Sequence, residues 1–266
     1  MLIFAHIPKA GGNSIFHNIE NNYPKKSIIR YYARQPAVAG HQWWPEGVPH
    51  LDGLEDLPSE ITDVRLLKKL KIKFISGHFS GFNQIAPILR GYNSNPFCSK
   101  EAKYFFALRN PVDMCASHYI MHMRTWGNFR RLGAPCEPRV KRKSQEKTMA
   151  IVEDWKTGWH LDFWLNSMIV RPLLFFSNGK KPDLALAIKR VKKASFIFDC
   201  DDFAGSFKKM QEKFNLKIKD YDMHLNTAKK EEYSRVDKKG FSDFVKKDLA
   251  EDLAFHEECK KISQSL

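Results

Sequence analysis

The chain has 266 residues, 43% hydrophobic and 13% aromatic, enough to bury a sizeable core and too rich in apolar residues to stay disordered. It carries 44 Lys+Arg against 30 Asp+Glu, a formal net charge of +14. That balance points to an anionic partner: nucleic acid, a phosphorylated or sulfated small molecule, acidic polysaccharide or a membrane surface.

Taken in chain order, Leu2–Ala5 reads as a buried strand, and a helix is expected over Ser14–Asn22. Residues 30–53 hold three prolines, three glycines and the pair Trp43-Trp44, and read as a long loop insertion. Leu54–Leu70 becomes amphipathic at Val-Arg-Leu-Leu-Lys-Lys-Leu. A second strand is expected at Ile72–Ile75, a third at Tyr104–Leu108 with a helix directly after it over Pro111–Met123, and a second insertion near 124–147. Asp183–Lys193 has helical periodicity, Ser195–Phe198 reads as a fourth strand, and Phe203–Phe214 and Glu231–Cys259 read as charged helices. Strands alternating with helices predict an α/β fold with a central, mainly parallel sheet flanked by helices.

No stretch is long and apolar enough for an integral membrane segment. Phe163–Phe176 is interrupted by Asn166, Arg171 and Pro172. The first residues lack the basic and apolar regions of a signal peptide. The five cysteines include no C-x-x-C pair, so a reduced, cytoplasmic setting is expected.

Two segments carry chemistry. The first strand runs into His6-Ile7-Pro8-Lys9-Ala10-Gly11-Gly12-Asn13-Ser14 and a helix starts at once. Glycines allow a tight turn and close approach of a ligand, and a helix N-terminus offers free N–H groups to an anion. Lys9 adds a cation, and Asn13 and Ser14 add side-chain donors. This resembles a P-loop without being a Walker A motif, whose Lys directly precedes Ser/Thr. A Gly-Gly turn alone is equally at home without a ligand; the Pro-Lys-x-Gly-Gly-x-Ser order favours an anion cradle. The second segment is Arg109-Asn110-Pro111-Val112-Asp113, with Ser117 two turns further on. Asn110 suits an N-cap and Pro111 the first helical position. Arg109 thus falls at the carboxyl end of a strand, where open α/β sheets bind ligands.

Together these segments resemble the sulfotransferases that use 3′-phosphoadenosine 5′-phosphosulfate (PAPS). His6–Ser14 is similar to the family's 5′-phosphosulfate loop, with Ala10 and Asn13 in place of the usual Thr residues. Arg109 followed eight residues later by Ser117 is similar to its 3′-phosphate motif. Ser76-Gly77-His78-Phe79, Phe198–Phe207 and His224-Leu225-Asn226-Thr227 resemble elements of the carbohydrate branch, which includes heparan sulfate 2-O-sulfotransferase-like enzymes. The resemblance implies a single P-loop-like sulfotransferase domain over 1–266, with PAPS as donor and no metal. It implies that Lys9, Ala10, Gly11, Gly12, Asn13 and Ser14 hold the 5′ end, and that Arg109 and Ser117 hold the 3′-phosphate. It implies catalysis by Lys9 and by His78 as general base toward a hydroxyl acceptor, a carbohydrate or glycolipid. Nucleic acid is not expected as a partner.

The basic run Arg139–Lys143 and Arg130-Arg131 suit either an anionic acceptor or a solvated loop. Trp43, Trp44, Trp155, Trp159 and Trp164 suit either sugar stacking or core packing. A nucleotide-dependent kinase is the competing enzyme class, with Asp199, Asp201 and Asp202 as candidate metal-binding acids. A non-enzymatic basic module binding acidic glycan or nucleic acid is the third reading.

Overall fold

The computed structural model describes residues 1–32, 50, 51, 64–79, 81–93, 101–125, 164–167, 170–177, 179, 181–218 and 238–266. Strands β1 (Leu2–Ala5), β2 (Ile28–Tyr32), β3 (His50–Leu51), β4 (Phe74–His78), β5 (Lys103–Leu108) and β6 (Phe196–Asp199) form one sheet. Their spatial order is β3-β2-β4-β1-β5-β6, and every pairing is parallel. The edge strand β3 has only two residues, so five longer strands make up the body of the sheet.

The helices are α1 (Gly12–Glu20), α2 (Val64–Lys69), α3 (Phe82–Asn93), α4 (Pro111–Thr125), α5 (Pro172–Phe176), α6 (Leu184–Val191), α7 (Phe203–Phe214), α8 (Lys238–Val245) and α9 (Ala250–Ser265). The expected α/β architecture is therefore the observed one. Central strand β1 is buried at all four positions, as a parallel strand covered on both faces must be. Phe4 stacks on Phe105 of the neighbouring strand at 4.7 Å between centroids. Phe176 of α5 packs on Phe106 at 4.7 Å.

Two strands lie in sequence not expected to hold them. β2 opens before the expected 30–53 insertion and runs into it, and β3 falls inside it. Arg30 interrupts the run Ile28–Tyr32 and hides the strand in sequence; in the fold it is buried at 4% exposure. Strand β4 extends to His78, past the expected end at Ile75, because Ser76 and Gly77 are buried in a central strand despite their polarity. Helix α3 was not expected: Pro87 lies inside it. The C-terminal helix expected over Glu231–Cys259 is two helices, α8 and α9, within the described part.

Local chemistry sets the helix ends. The Asp183 carboxylate accepts from Leu186 N–H at 2.9 Å and Asp202 from Gly205 N–H at 3.1 Å, capping α6 and α7. Asn215 closes α7 in the left-handed region at φ 52°. Helix α9 packs against β6, α6 and α5. Arg171 fixes it there with a buried fork: Nε and Nη2 both donate to Asp252, at 2.8–3.0 Å.

The chain leaves β1 for β2 on one side of the sheet and later enters β5 on the other side of β1. The strand order thus reverses between β1 and β5. In open parallel sheets the crevice at such a reversal, at the carboxyl ends of the strands, is where ligands bind.

Candidate functional site

The loop after β1 is built at that reversal. His6 N–H extends the β1–β4 pairing by donating to Gly77 C=O at 2.9 Å. Ile7 N–H then turns back to Ala5 C=O at 3.0 Å, and Ala10 N–H to Ile7 C=O at 3.4 Å. Lys9 and Gly11 both take the left-handed conformation, each at φ 69°. Gly11 does so without strain, whereas a left-handed lysine costs about 1–2 kcal/mol. Strain of that kind concentrates where a backbone must meet a ligand. Helix α1 starts directly after Gly11, with Ile15 N–H donating to Gly11 C=O at 3.2 Å.

The neighbouring strand ends tie the loop down. Arg109, just beyond β5, donates from Nη1 to Lys9 C=O at 3.0 Å. Cys200, just beyond β6, donates its S–H to Ala10 C=O at 3.2 Å. Burial pushes the Cys200 thiol up to about 12, so it is a protonated donor near neutrality rather than a nucleophile. The Arg109 contact accounts for how Lys9 is held in its strained conformation.

On the other flank, two histidines meet. Ala5 pairs with Gly77 in register, so His6 and His78 stand side by side at the ends of β1 and β4. His78 Nε2 is 3.1 Å from His6 Nδ1, and the rings are edge to face at 4.2 Å and 81°. The Nδ1 of His78 is shielded from solvent. His6 stacks on Phe4 and is 5% exposed. Burial holds His6 well below its ordinary value of 6.5, and His78, Arg30 and Lys9 add to the effect. Its ring lies so close to Gly12 that a Cβ there would fall 1.8 Å from Cδ2 and 1.9 Å from Nε2. Arg30, from β2, donates to Asn13 Oδ1 at 3.2 Å and covers the Phe16 ring at 4.1 Å.

The fold therefore brings Lys9, Ala10, Gly11, Gly12, Asn13, Ser14, His78 and Arg109 to one edge of the sheet. The hydroxyl-bearing Ser14 is buried at 3% exposure, and the Asn13 side-chain oxygen is engaged by Arg30. Asn110 caps α4, its Oδ1 accepting from Val112 N–H at 2.9 Å. Ser117 stands about 9 Å along the α4 axis from Pro111. It is 7% exposed, and among the described contacts none joins it to Arg109 or the loop.

Sequence reasoning missed Arg30, whose only signal is a cation inside an Ile-Ile-x-Tyr-Tyr run. Trp164, one of the candidate stacking residues, is fully buried and packs beside Arg171 instead. Trp43, Trp44, Trp155, Trp159, Arg130, Arg131 and 139–143 lie outside the described residues. The three acids at the end of β6 and just beyond it have structural partners: Asp199 Oδ1 accepts from Asp201 N–H, Asp201 pairs with Lys260 at 3.0 Å, and Asp202 caps α7. Among the described residues no three His, Cys, Asp or Glu side chains converge as a metal site. A separate concavity of 570 Å³ lies between α3 and α6 near the amino ends of β5 and β6, away from this cluster.

What defines this site is a class of geometry: a glycine-containing loop between a parallel strand and a helix, strapped by an arginine from the next strand, with a histidine pair beside it. Comparison with family models, with curated proteins and with solved structures returned no match. Among the described residues no helix is long and apolar enough to cross a membrane.

Proposed function

We propose that the chain is a PAPS-dependent O-sulfotransferase, with a carbohydrate or glycolipid hydroxyl as acceptor. The observation that carries the reading is the strapped loop: left-handed Lys9 and Gly11 at the start of α1, held by Arg109 at the sheet's reversal point. Backbone N–H groups at the start of a helix and three nearby cations suit a ligand with phosphate groups at both ends. A ligand with one phosphate chain would leave Arg109 without a role beyond the loop.

PAPS, when bound, supplies the sulfuryl group and its leaving group. The residues around it fit that task. Loop N–H groups from Gly11 to Ser14 would hold the 5′ end, and Lys9 would stabilise the charge that develops as the sulfuryl group leaves. Arg109 neutralises the 3′-phosphate; Ser117, with no described contact to the loop, has the weaker claim to that role. His78 takes the acceptor's hydroxyl proton as the acceptor oxygen bonds to sulfur, so the products are a sulfate ester, PAP and a protonated His78. Because His78 Nδ1 is shielded, the acceptor must displace the groups covering it, and bulk water is excluded until then. A reducing, cytoplasmic compartment is the setting proposed from the cysteine pattern.

The test is transfer of label from PAPS sulfate to a panel of hydroxylated saccharides, glycolipids and peptides. His78→Ala should retain PAP binding and lose transfer by about 10²-fold or more. Near-normal turnover in that variant removes His78 from the role.

A further inference from the structure

His6 and His78 lie at the ends of adjacent strands, with 3.1 Å between His6 Nδ1 and His78 Nε2. One of these two nitrogens carries the proton between them. We propose that His6 is a positioning residue: its Nδ1 accepts a hydrogen bond from Nε2–H of His78, which fixes the tautomer of His78 and leaves Nδ1 as its basic atom. The inference rests on His78 serving as the base of the transfer proposed above.

The surroundings of His6 keep it neutral. One face of its ring stacks on Phe4, with 5.4 Å between centroids and the planes 7° apart. Its Cδ2–Nε2 edge lies against Gly12, the first residue of α1. Arg30 and Lys9 are the neighbouring cations, and His78 is the other titratable group that faces it. Burial first, then the charges of His78, Arg30 and Lys9, oppose a second proton, so His6 has a single N–H.

That N–H has two possible seats. On Nδ1, it would donate to His78 Nε2 and occupy the lone pair there. On Nε2, it leaves Nδ1 as an acceptor for His78 Nε2–H. The two differ when His78 takes up a proton and both its nitrogens become donors. The first arrangement then sets two N–H groups against each other at 3.1 Å. The second keeps its hydrogen bond throughout. A His78 that cycles through the charged form therefore needs His6 as acceptor, in the way a catalytic histidine generally needs a group that holds its far nitrogen. The arrangement also gives a reason for the second glycine of the loop. Any side chain at Gly12 would drive His6 off this position, since its Cβ would fall within 1.9 Å of two ring atoms.

The experiment is NMR of the full chain labelled with ¹⁵N-histidine, with PAP present, correlating ring nitrogens with carbon-bound ring protons across a pH series. The expected result is His78 protonated at Nε2 in its neutral form and gaining its second proton at Nδ1, with His6 neutral throughout and protonated at Nε2. Neutral His78 protonated at Nδ1 overturns the proposal. In kinetics, His6→Phe removes the acceptor for charged His78. The acid limb of kcat/KM should move to lower pH and kcat should fall by roughly ten- to a hundredfold, the range for loss of an orienting partner. His6→Gln, which keeps an acceptor oxygen, should recover part of both. Wild-type kcat and pH profile in His6→Phe also overturn the proposal. If His6→Phe does not fold, the wild-type tautomer decides alone. The spectrum needs no turnover, so the two readings separate. The expected tautomer in a chain that transfers no sulfuryl group removes the transferase reading and leaves the hydrogen bond. Transfer by a chain whose neutral His78 carries its proton on Nδ1 removes only the role of His6.

Discussion

Replacing Gly12 by alanine puts the packing of the site to a quantitative test. In an open first helical turn this change stabilises by up to about 1 kcal/mol, because alanine loses less backbone entropy on folding. Here the new Cβ falls 1.8 Å from Cδ2 and 1.9 Å from Nε2 of His6. The imidazole must therefore move. Moving it forfeits the 3.1 Å bond to His78 and the stack on Phe4. A hydrogen bond and an aromatic contact are each worth about 1 kcal/mol, so the net cost is about 1–2 kcal/mol after the helix gain is subtracted. For a chain of this size that is a fall in melting temperature of roughly 2–8 °C. The assay is chemical denaturation of wild type, Gly12→Ala, His6→Ala and the double variant. In the His6→Ala background the collision is gone, so Gly12→Ala should be neutral or stabilising, and the coupling should be about 2 kcal/mol. An equal cost in both backgrounds, or a stabilised single variant, would refute the placement of His6 against α1.

Three further outcomes are expected. Arg171→Met leaves the Asp252 carboxylate, 1% exposed, without its forked partner and should destabilise the chain by about 3–5 kcal/mol in denaturant titrations; the pair Arg171→Met with Asp252→Leu should recover most of that. His6 is held below its ordinary 6.5, so the unfolded chain binds more protons than the folded one between 6.5 and the folded value. Stability should thus fall as pH drops below 6.5, by up to about 1.4 kcal/mol per pH unit from this residue, and His6→Asn should flatten that slope. Cys200, with its thiol pushed up to about 12, should resist iodoacetamide at pH 8 in the folded chain and react once unfolded, read by mass spectrometry.

The parts of the fold that sequence shows are those where local pattern and burial agree. Leu2–Ala5 is apolar throughout and is a central strand. Phe203–Phe214 carries its cap in Asp202 and forms the helix with the bounds expected of it. The parts it hides are those where burial and polarity diverge. Arg30 is a buried cation inside β2, bonded through Nη2 to Asn13 and lying over the face of Phe16, and neither partner is adjacent in sequence. Ser76 and Gly77 complete β4 because neighbours on both sides supply the pairing, and His78 follows them through its pairing with Tyr32 of β2. Pro87 lies within α3 although proline ordinarily ends a helical pattern.

The site divides in the same way. The glycine loop and Arg109 are legible because their order along the chain and their positions at strand ends reflect local geometry. The His6–His78 contact spans 72 residues and depends on the register of β1 against β4, which no spacing in the sequence encodes. Cys200 reaches Ala10 across 190 residues for the same reason.

The central claim is that the loop at residues 6–14 and Arg109 form one site for a nucleotide with phosphate at both its 3′ and 5′ positions. Isothermal titration with PAP, beside ATP and 5′-AMP, tests it most directly. The account predicts PAP binding that is lost in Lys9→Ala and in Arg109→Ala, with 5′-AMP far weaker than PAP. No binding of PAP together with clear binding of ATP would contradict it.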